Sequence, residues 1–406
     1  MSDFDNIRPY RDNEVRPVIE RFLQDPSLAQ TVCKYKFPTL SRLMGPVLQY
    51  MVKRALKKEL STVNNVADVQ QHVADYLTST INKTTDGFSV SGLEYLSPDK
   101  PYLFISNHRD IAMDPALLNY ALHQAGMDTV EIAIGDNLIS NPFVSDLMRL
   151  NKSFIVRRSV QGIKEKLKAM IELSTYIQHV LDEGTSVWIA QREGRAKDGT
   201  DKTDAALIKM LHIAGKKQGL SLSETVKKLN IVPVSISYEY DPCDQMKANE
   251  LRAKAQEGEY IKAEGEDIES IVKGITGYKG KVHVAVGKPL TGEFETADDV
   301  AEAIDQQIVM NYKLQIPNMM AFEQLKTHGF DLTPIPEATL KRTLKLTEKR
   351  KQRWCAKNPG VYERRVALFS ARIANMPLAS QNAILKMYAN PLINQYLRSE
   401  GAGTTK

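Results

Sequence analysis

Cysteine is scarce: Cys33, Cys243 and Cys355 are the only three in 406 residues, widely spaced and odd in number. That pattern excludes a disulfide framework and a thiolate zinc site, and it suits a reducing compartment, so a cytoplasmic protein without a metal is expected. No apolar stretch approaches the roughly 20 residues that cross a bilayer, so the protein is expected to be soluble or at most peripheral. Met1 to Asp5 show no basic region followed by an apolar core, and no signal peptide is expected. Internal repeats and low-complexity tracts are also missing. What remains is an ordinary globular composition, 42% hydrophobic and 25% charged, long enough for two domains or one with extensions.

The net charge of +5 is unevenly spread. Lys53, Arg54, Lys57 and Lys58 form one basic cluster; Lys341, Arg342, Lys345, Lys349, Arg350, Lys351 and Arg353 form a denser one. Either is a solvated helix face in the plainest reading. The alternative is attraction to anionic lipid, nucleic acid or an acidic carrier protein. Nucleic acid is set aside, because aromatics are not interleaved with the second cluster beyond Trp354 and no recognisable module accompanies it.

Periodicity divides the chain into a helical region at 1–86, an α/β domain at 87–314 and a basic helical extension at 315–406. Before about residue 85, apolar residues such as Val47, Leu48, Met51, Val52, Ala55 and Leu56 recur at helical spacing. Strands are expected at Phe88–Tyr95, Tyr102–Ile105, Glu131–Ile134, Phe154–Val156, Ser186–Ala190, Ile231–Tyr238 and Lys281–Val286. Helices are expected between and after them at Pro115–Ala125, Gly162–Glu183, Thr203–Gln218, Glu224–Leu229 and Ala297–Tyr312. This alternation predicts an α/β fold, a mostly parallel central sheet covered by helices on both faces.

The most informative stretch runs from Asn107 to Pro115. An apolar run, Pro101 to Ile105, stops at a polar cluster with His108, Asp110 and Asp114, and a helical pattern follows from Pro115. Proline in the first helical turn costs no hydrogen bond. A strand-end loop in an α/β fold is where reacting side chains tend to be displayed. Histidine beside a carboxylate there can deprotonate a hydroxyl, with the carboxylate fixing the tautomer and stabilising the cation. The bland readings are a structural histidine, Asp114 as a helix cap and Asp110 as a turn residue.

Other expected strand ends are also polar. Glu131–Ile134 leads into Gly135-Asp136-Asn137-Leu138, Phe154–Val156 into Arg157 and Arg158, and Ser186–Ala190 into Gln191-Arg192-Glu193-Gly194-Arg195-Ala196-Lys197. In a parallel sheet these ends share one edge with His108. Guanidinium groups grip phosphate bidentately, and several converging on one crevice suggest a phosphorylated substrate.

Together these blocks resemble the glycerolipid acyltransferases, the family that acylates glycerol-phosphate and lysophosphatidate. Asn107-His108 through Asp114-Pro115 is similar to its His–Asp block. Gly135 to Leu138 with Phe154 to Arg158 is similar to its second, Arg192-Glu193-Gly194-Arg195 to its third, and Val232-Pro233-Val234 to its fourth. The blocks cover roughly residues 90 to 290 in the family's order. Two departures stand out. Five residues separate His108 from Asp114 where the family has four, which leaves Asp110 as a rival partner. Gln191-Arg192 replaces the usual aromatic-proline pair.

The resemblance implies that His108 is the general base and Asp114 its partner. It further implies that Arg157, Arg158, Arg192 and Arg195 hold a phosphate, that Glu193 orients them or an acceptor hydroxyl, and that Lys197 assists. Gly194 allows close backbone approach. No cofactor is implied beyond the acyl donor, acyl-CoA or an acidic acyl carrier protein. Glycerol-3-phosphate is the first acceptor and lysophosphatidate the second. Contact of the basic segment with an anionic membrane or a carrier protein is expected as well. A peripheral lipid-binding protein that has lost catalysis is the reading from another class, with the altered His–Asp spacing as its sign.

Overall fold

A computed structural model describes residues 4–25, 29–30, 32–33, 37, 45–139, 142–263, 265–327, 337–357, 359–374 and 376–401. The lead-in region includes, among the described residues, α1 (Asp12–Gln24), α2 (Gly45–Glu59) and α3 (Val66–Thr84), the last capped by the Asn65 side chain on the Asp68 N–H. On α2, Val52 is buried while Val47, Tyr50 and Met51 stay exposed, so packing uses only part of its apolar pattern.

The α/β body follows as β1 (Thr85–Ser91), β2 (Leu103–Ser106), α4 (Met113–Gln124), β3 (Glu131–Gly135), α5 (Pro142–Leu150), β4 (Ser153–Val156), α6 (Ile163–Asp182), β5 (Val187–Ala190), α7 (Ala205–Lys217), α8 (Leu222–Lys228), β6 (Ile231–Tyr238), α9 (Asp244–Glu257), α10 (Glu266–Thr276), β7 (Gly280–Val286) and α11 (Ala297–Asn311). Four helices close the chain: α12 (Ile316–Thr327), α13 (Glu337–Lys357), α14 (Val361–Ala374) and α15 (Leu378–Gly401).

The expected α/β architecture is borne out. The seven strands form one sheet in the order β1-β7-β6-β2-β5-β3-β4. β2 pairs parallel with β5 and β6, and β3 parallel with β4 and β5, so these five run the same way. Only the β6–β7 pairing is antiparallel. All eight residues of β6 are buried, as a central strand covered on both faces requires. One face packs under α6, α7, α8 and α11 through Leu173, Ile177, Leu211, Val226 and Ile304. The other packs under α3, α4 and α10, with Leu77, Leu117 and Ile275 against Phe104, Trp188 and Val232.

Two departures from the periodicity reading have local causes. The first strand stops at Ser91 rather than Tyr95 because Gly92 adopts a φ of 85° pressed against the Val286 carbonyl, where a Cβ would sit 1.8 Å from that oxygen. Helix α9 is unannounced by any apolar stripe because it buries Asp244, Lys247 and Glu250. Those polar positions are satisfied by Arg372, Asp241 and Lys197.

The C-terminal helices are not a loose tail. Phe322, Phe369, Tyr388 and Leu392 form one core with Tyr240 and Ala248 of the α/β body.

Candidate active site

Because β2 to β6 run parallel to one another, their carboxyl ends line one edge of the sheet. That edge gathers His108 after β2, Asp136 after β3, Arg157 and Arg158 after β4, the Arg192–Lys197 loop after β5, and Tyr238 at the end of β6.

At its centre His108 Nδ1 lies 2.9 Å from Asp114 Oδ2. The carboxylate only accepts, so Nδ1 carries the proton and Nε2 keeps its lone pair. Asp114 is fully buried in the first turn of α4, where the helix dipole favours an anion. It is saturated: Oδ2 also accepts from the Arg109 N–H at 2.6 Å and the Asp110 N–H at 2.8 Å, while Oδ1 accepts from the Tyr238 hydroxyl at 2.8 Å. His108 keeps 15% side-chain exposure and meets the Trp188 ring edge-on at 5.9 Å between centroids.

The five-residue separation is thus accommodated in the loop, whose N–H groups at 109 and 110 turn inward to bind Asp114. Asp110 is not the ring's partner. Its Oδ1 accepts from the Ala112 and Met113 N–H groups at 3.0 and 2.9 Å and so caps α4. Burial, then the neighbouring Asp114 charge, pushes its carboxyl up to about 6. A Cβ on Gly274 of α10 would lie 2.0 Å from Asp110 Oδ2, so glycine lets that helix close over the capping carboxylate.

The loop is fixed by contacts that the sequence pattern does not show. Asn107 is buried and exchanges two hydrogen bonds with the Ile236 backbone, at 2.8 and 3.1 Å. The Arg109 guanidinium donates to Asp201 at 2.6 Å and faces the Tyr312 ring at 5.5 Å. Lys247, 1% exposed, donates to the Arg109 carbonyl at 2.6 Å and pairs with Asp241.

The cationic residues divide. Arg158 reaches toward Glu193, with 3.7 Å between Nη1 and Oε1, which joins the second and third blocks. The Asp136 carboxylate accepts from the Arg158 and Ser159 N–H groups at 3.1 Å each. Partial burial opposes its ionisation, but a bond from the Ser159 hydroxyl together with these backbone bonds outweighs it and holds the carboxyl below its ordinary value. Arg195 has one guanidinium nitrogen, Nη1, buried with no hydrogen-bond partner, while Nη2 is 3.4 Å from the Ser270 hydroxyl. Arg192 is half-buried and Gly194 is exposed at a φ of 75°. Two candidates turn elsewhere: Arg157 pairs with Glu172 of α6 at 3.1 Å, and Lys197 pairs with Glu250 of α9. Among the described residues no cluster of metal-ligating side chains occurs, and no helix is long and apolar enough to cross a membrane.

Residues 87–237, which contain every one of these blocks, match the family model described as Acyltransferase. This part of the α/β body is similar to acyltransferases. Two curated relatives, each named glycerol-3-phosphate acyltransferase, come from Pasteurella multocida and Haemophilus ducreyi and are 26% and 27% identical to this chain over 189 and 188 residues. The alignments cover 47% and 46% of this chain but 22% and 21% of the relatives. The chain therefore spans about a fifth of the length of the curated acyltransferases it matches. A solved 1-acyl-sn-glycerophosphate acyltransferase from Thermotoga maritima is similar over 73% of this chain and 94% of its own, at 15% identity and a TM-score of 0.37. That global likeness is too loose to carry weight.

Proposed function

We propose that this protein transfers a fatty acyl group from an acyl thioester to a hydroxyl of glycerol-3-phosphate. The observation that carries the reading is the His108–Asp114 pair, buried on one side, with Nε2 free at the sheet edge that also holds Arg158 and Arg195.

The chemistry follows from the protonation states. His108 Nε2 takes the proton of the acceptor hydroxyl as its oxygen attacks the thioester carbonyl. A C–O bond forms, the C–S bond breaks, and the imidazolium returns its proton to the departing thiolate. Asp114 stabilises the transient cation at Nδ1. General-base assistance of this kind is worth about 10²–10⁴ in rate, or roughly 3–5 kcal/mol; positioning and oxyanion stabilisation supply the rest. Arg158, Arg192 and Arg195 grip the acceptor phosphate, and the unpartnered Arg195 Nη1 gains its bond when an oxyanion arrives. Glu193 orients Arg158, and Gly194 leaves room for the ligand. Arg157 and Lys197 act from the rim, through release from Glu172 and Glu250.

The long helical region before the catalytic block favours glycerol-3-phosphate over lysophosphatidate, by likeness to soluble glycerol-phosphate enzymes. The experiment is thiol release from acyl-CoA or an acyl carrier protein with each acceptor, for the wild type and His108→Ala. Glycerol-3-phosphate-dependent release that disappears in His108→Ala supports the reading. Release without either acceptor, or none from either donor, rejects it.

A further inference from the structure

Helix α6 carries more apolar surface than the sheet can cover. At 20 residues it is about 30 Å long, whereas β4 and β5, the strands it joins, have four residues each and span about 13 Å. Its second half is buried through Leu173, Tyr176, Ile177 and Val180. The same helical face runs on toward the N-terminus through Ile163, Leu167 and Met170, at i, i+4 and i+7. There nothing in the described structure covers it: their exposures are 88%, 53% and 40%. Three large apolar side chains in one exposed row are uncommon on a surface with no partner. The row is flanked by Lys164, Lys166 and Lys168, all exposed. Helical rotation puts Lys164 on one side of it and Lys166 on the other.

An apolar ridge bordered by lysines is the pattern of a helix that rests in a bilayer interface, its ridge among acyl chains and its ammonium groups among anionic headgroups. Its place in the fold fits that use. Helix α6 begins five residues after Arg158, on the edge that holds His108. The first turns of α2 also expose apolar residues, but α2 belongs to the lead-in helices. Helix α13 is charged on its surface and adds none of the exposed large apolar side chains among the described residues.

We propose that Ile163, Leu167 and Met170, with Lys164, Lys166 and Lys168, form a docking ridge for an anionic phospholipid bilayer. The ridge lays the catalytic edge against the membrane. This rests on the acyl-transfer reading only for its purpose: the acylated product is a lipid and leaves directly into the bilayer.

The test is co-sedimentation with phosphatidylcholine vesicles, with and without phosphatidylglycerol. It compares the wild type, the triple variant Ile163→Ser/Leu167→Ser/Met170→Ser, Lys164→Glu/Lys168→Glu, and Tyr50→Ser/Met51→Ser on α2. The substituted side chains are exposed, and circular dichroism confirms folding. Wild type binds only the phosphatidylglycerol vesicles, and the triple variant loses at least about tenfold in partitioning. The charge variant also weakens, while turnover of a short-chain, water-soluble donor is unchanged in both. Wild type that ignores vesicles overturns the proposal, as does a triple variant that binds normally. Loss in the α2 variant alone moves the contact to α2 and overturns it too. A triple variant that binds vesicles but fails with long-chain donors in their absence makes the ridge a wall of the acyl site instead. Binding is read without turnover, so vesicle binding by a wild type with no acyl transfer would reject the enzymatic reading and leave the ridge standing.

Discussion

The Tyr238 hydroxyl binds Asp114 Oδ1 at 2.8 Å, while the other oxygen of the same carboxylate holds His108 at 2.9 Å. A residue 124 positions from Asp114 therefore tunes the charge that the imidazole feels. Tyr238→Phe removes one donor from the carboxylate and makes it more basic, so it holds the imidazolium more tightly. The imidazolium then gives up its proton less readily, and kcat/KM is expected to fall. The accompanying fall in kcat is about tenfold or less. An unchanged kcat/KM would mean that Tyr238 serves packing alone.

Asp114 and Asp110 are separable by substitution. Asp114→Asn leaves Nδ1 facing an amide that can no longer stabilise the imidazolium, and kcat is expected to fall by about 10²–10⁴. In Asp110→Asn the amide oxygen still caps α4, and kcat stays within about tenfold. Steady-state kinetics of the two variants decides the matter; equal losses would make Asp110 part of the relay.

Asp110 also gives stability a pH dependence. Its folded-state value of about 6 lies above the ordinary 3.8, so the folded protein holds this proton more tightly than the unfolded chain does. The contribution is complete below about pH 4 and is lost as pH rises through 6, on the order of 3 kcal/mol for a carboxyl this buried. Asp305, also raised to about 6, adds a slope of the same sign. Urea midpoints across this window should show a shallower decline in Asp110→Asn than in the wild type.

Arg158 and Asp136 should differ in kind. Arg158→Ala removes a phosphate contact and is expected to raise KM for glycerol-3-phosphate by about tenfold or more. Asp136→Asn loosens the loop that presents Arg158 and Ser159 and raises the same KM less. Neither changes KM for the thioester. Initial rates with each substrate varied in turn would read this out.

We propose that the basic face of α13 docks an acidic carrier-protein donor. Lys345, Lys349 and Arg350 are exposed, on a helix whose Leu344, Leu346 and Trp354 turn inward. Reversing these three charges should raise KM for an acyl carrier protein donor several-fold, and less so at high salt. KM for glycerol-3-phosphate should not move.

Much of the body was legible because its strands are buried on both faces and its helices carry a clear stripe. The segments around β2 to β6 read correctly for that reason. Strand direction was not legible: the β6–β7 pair is antiparallel, and an apolar run carries no sign of which way it points. Tyr238, Lys247 and Gly274 escaped because their partners lie far away along the chain. Arg157 pairs with Glu172 on the following helix, a contact that an apolar pattern does not announce. Proximity to a strand end does not fix where a long side chain goes.

The shared core at Tyr240 and Ala248 has a practical meaning. Arg372 of α14 donates to buried Asp244 at 3.0 Å, and Tyr388 of α15 donates to its other oxygen at 2.9 Å. Cutting the chain before α12 would bare a large aromatic surface and strand that carboxylate without its cation. Recombinant dissection at this boundary should give aggregates rather than a minimal enzyme, and the intact chain should melt in a single cooperative step.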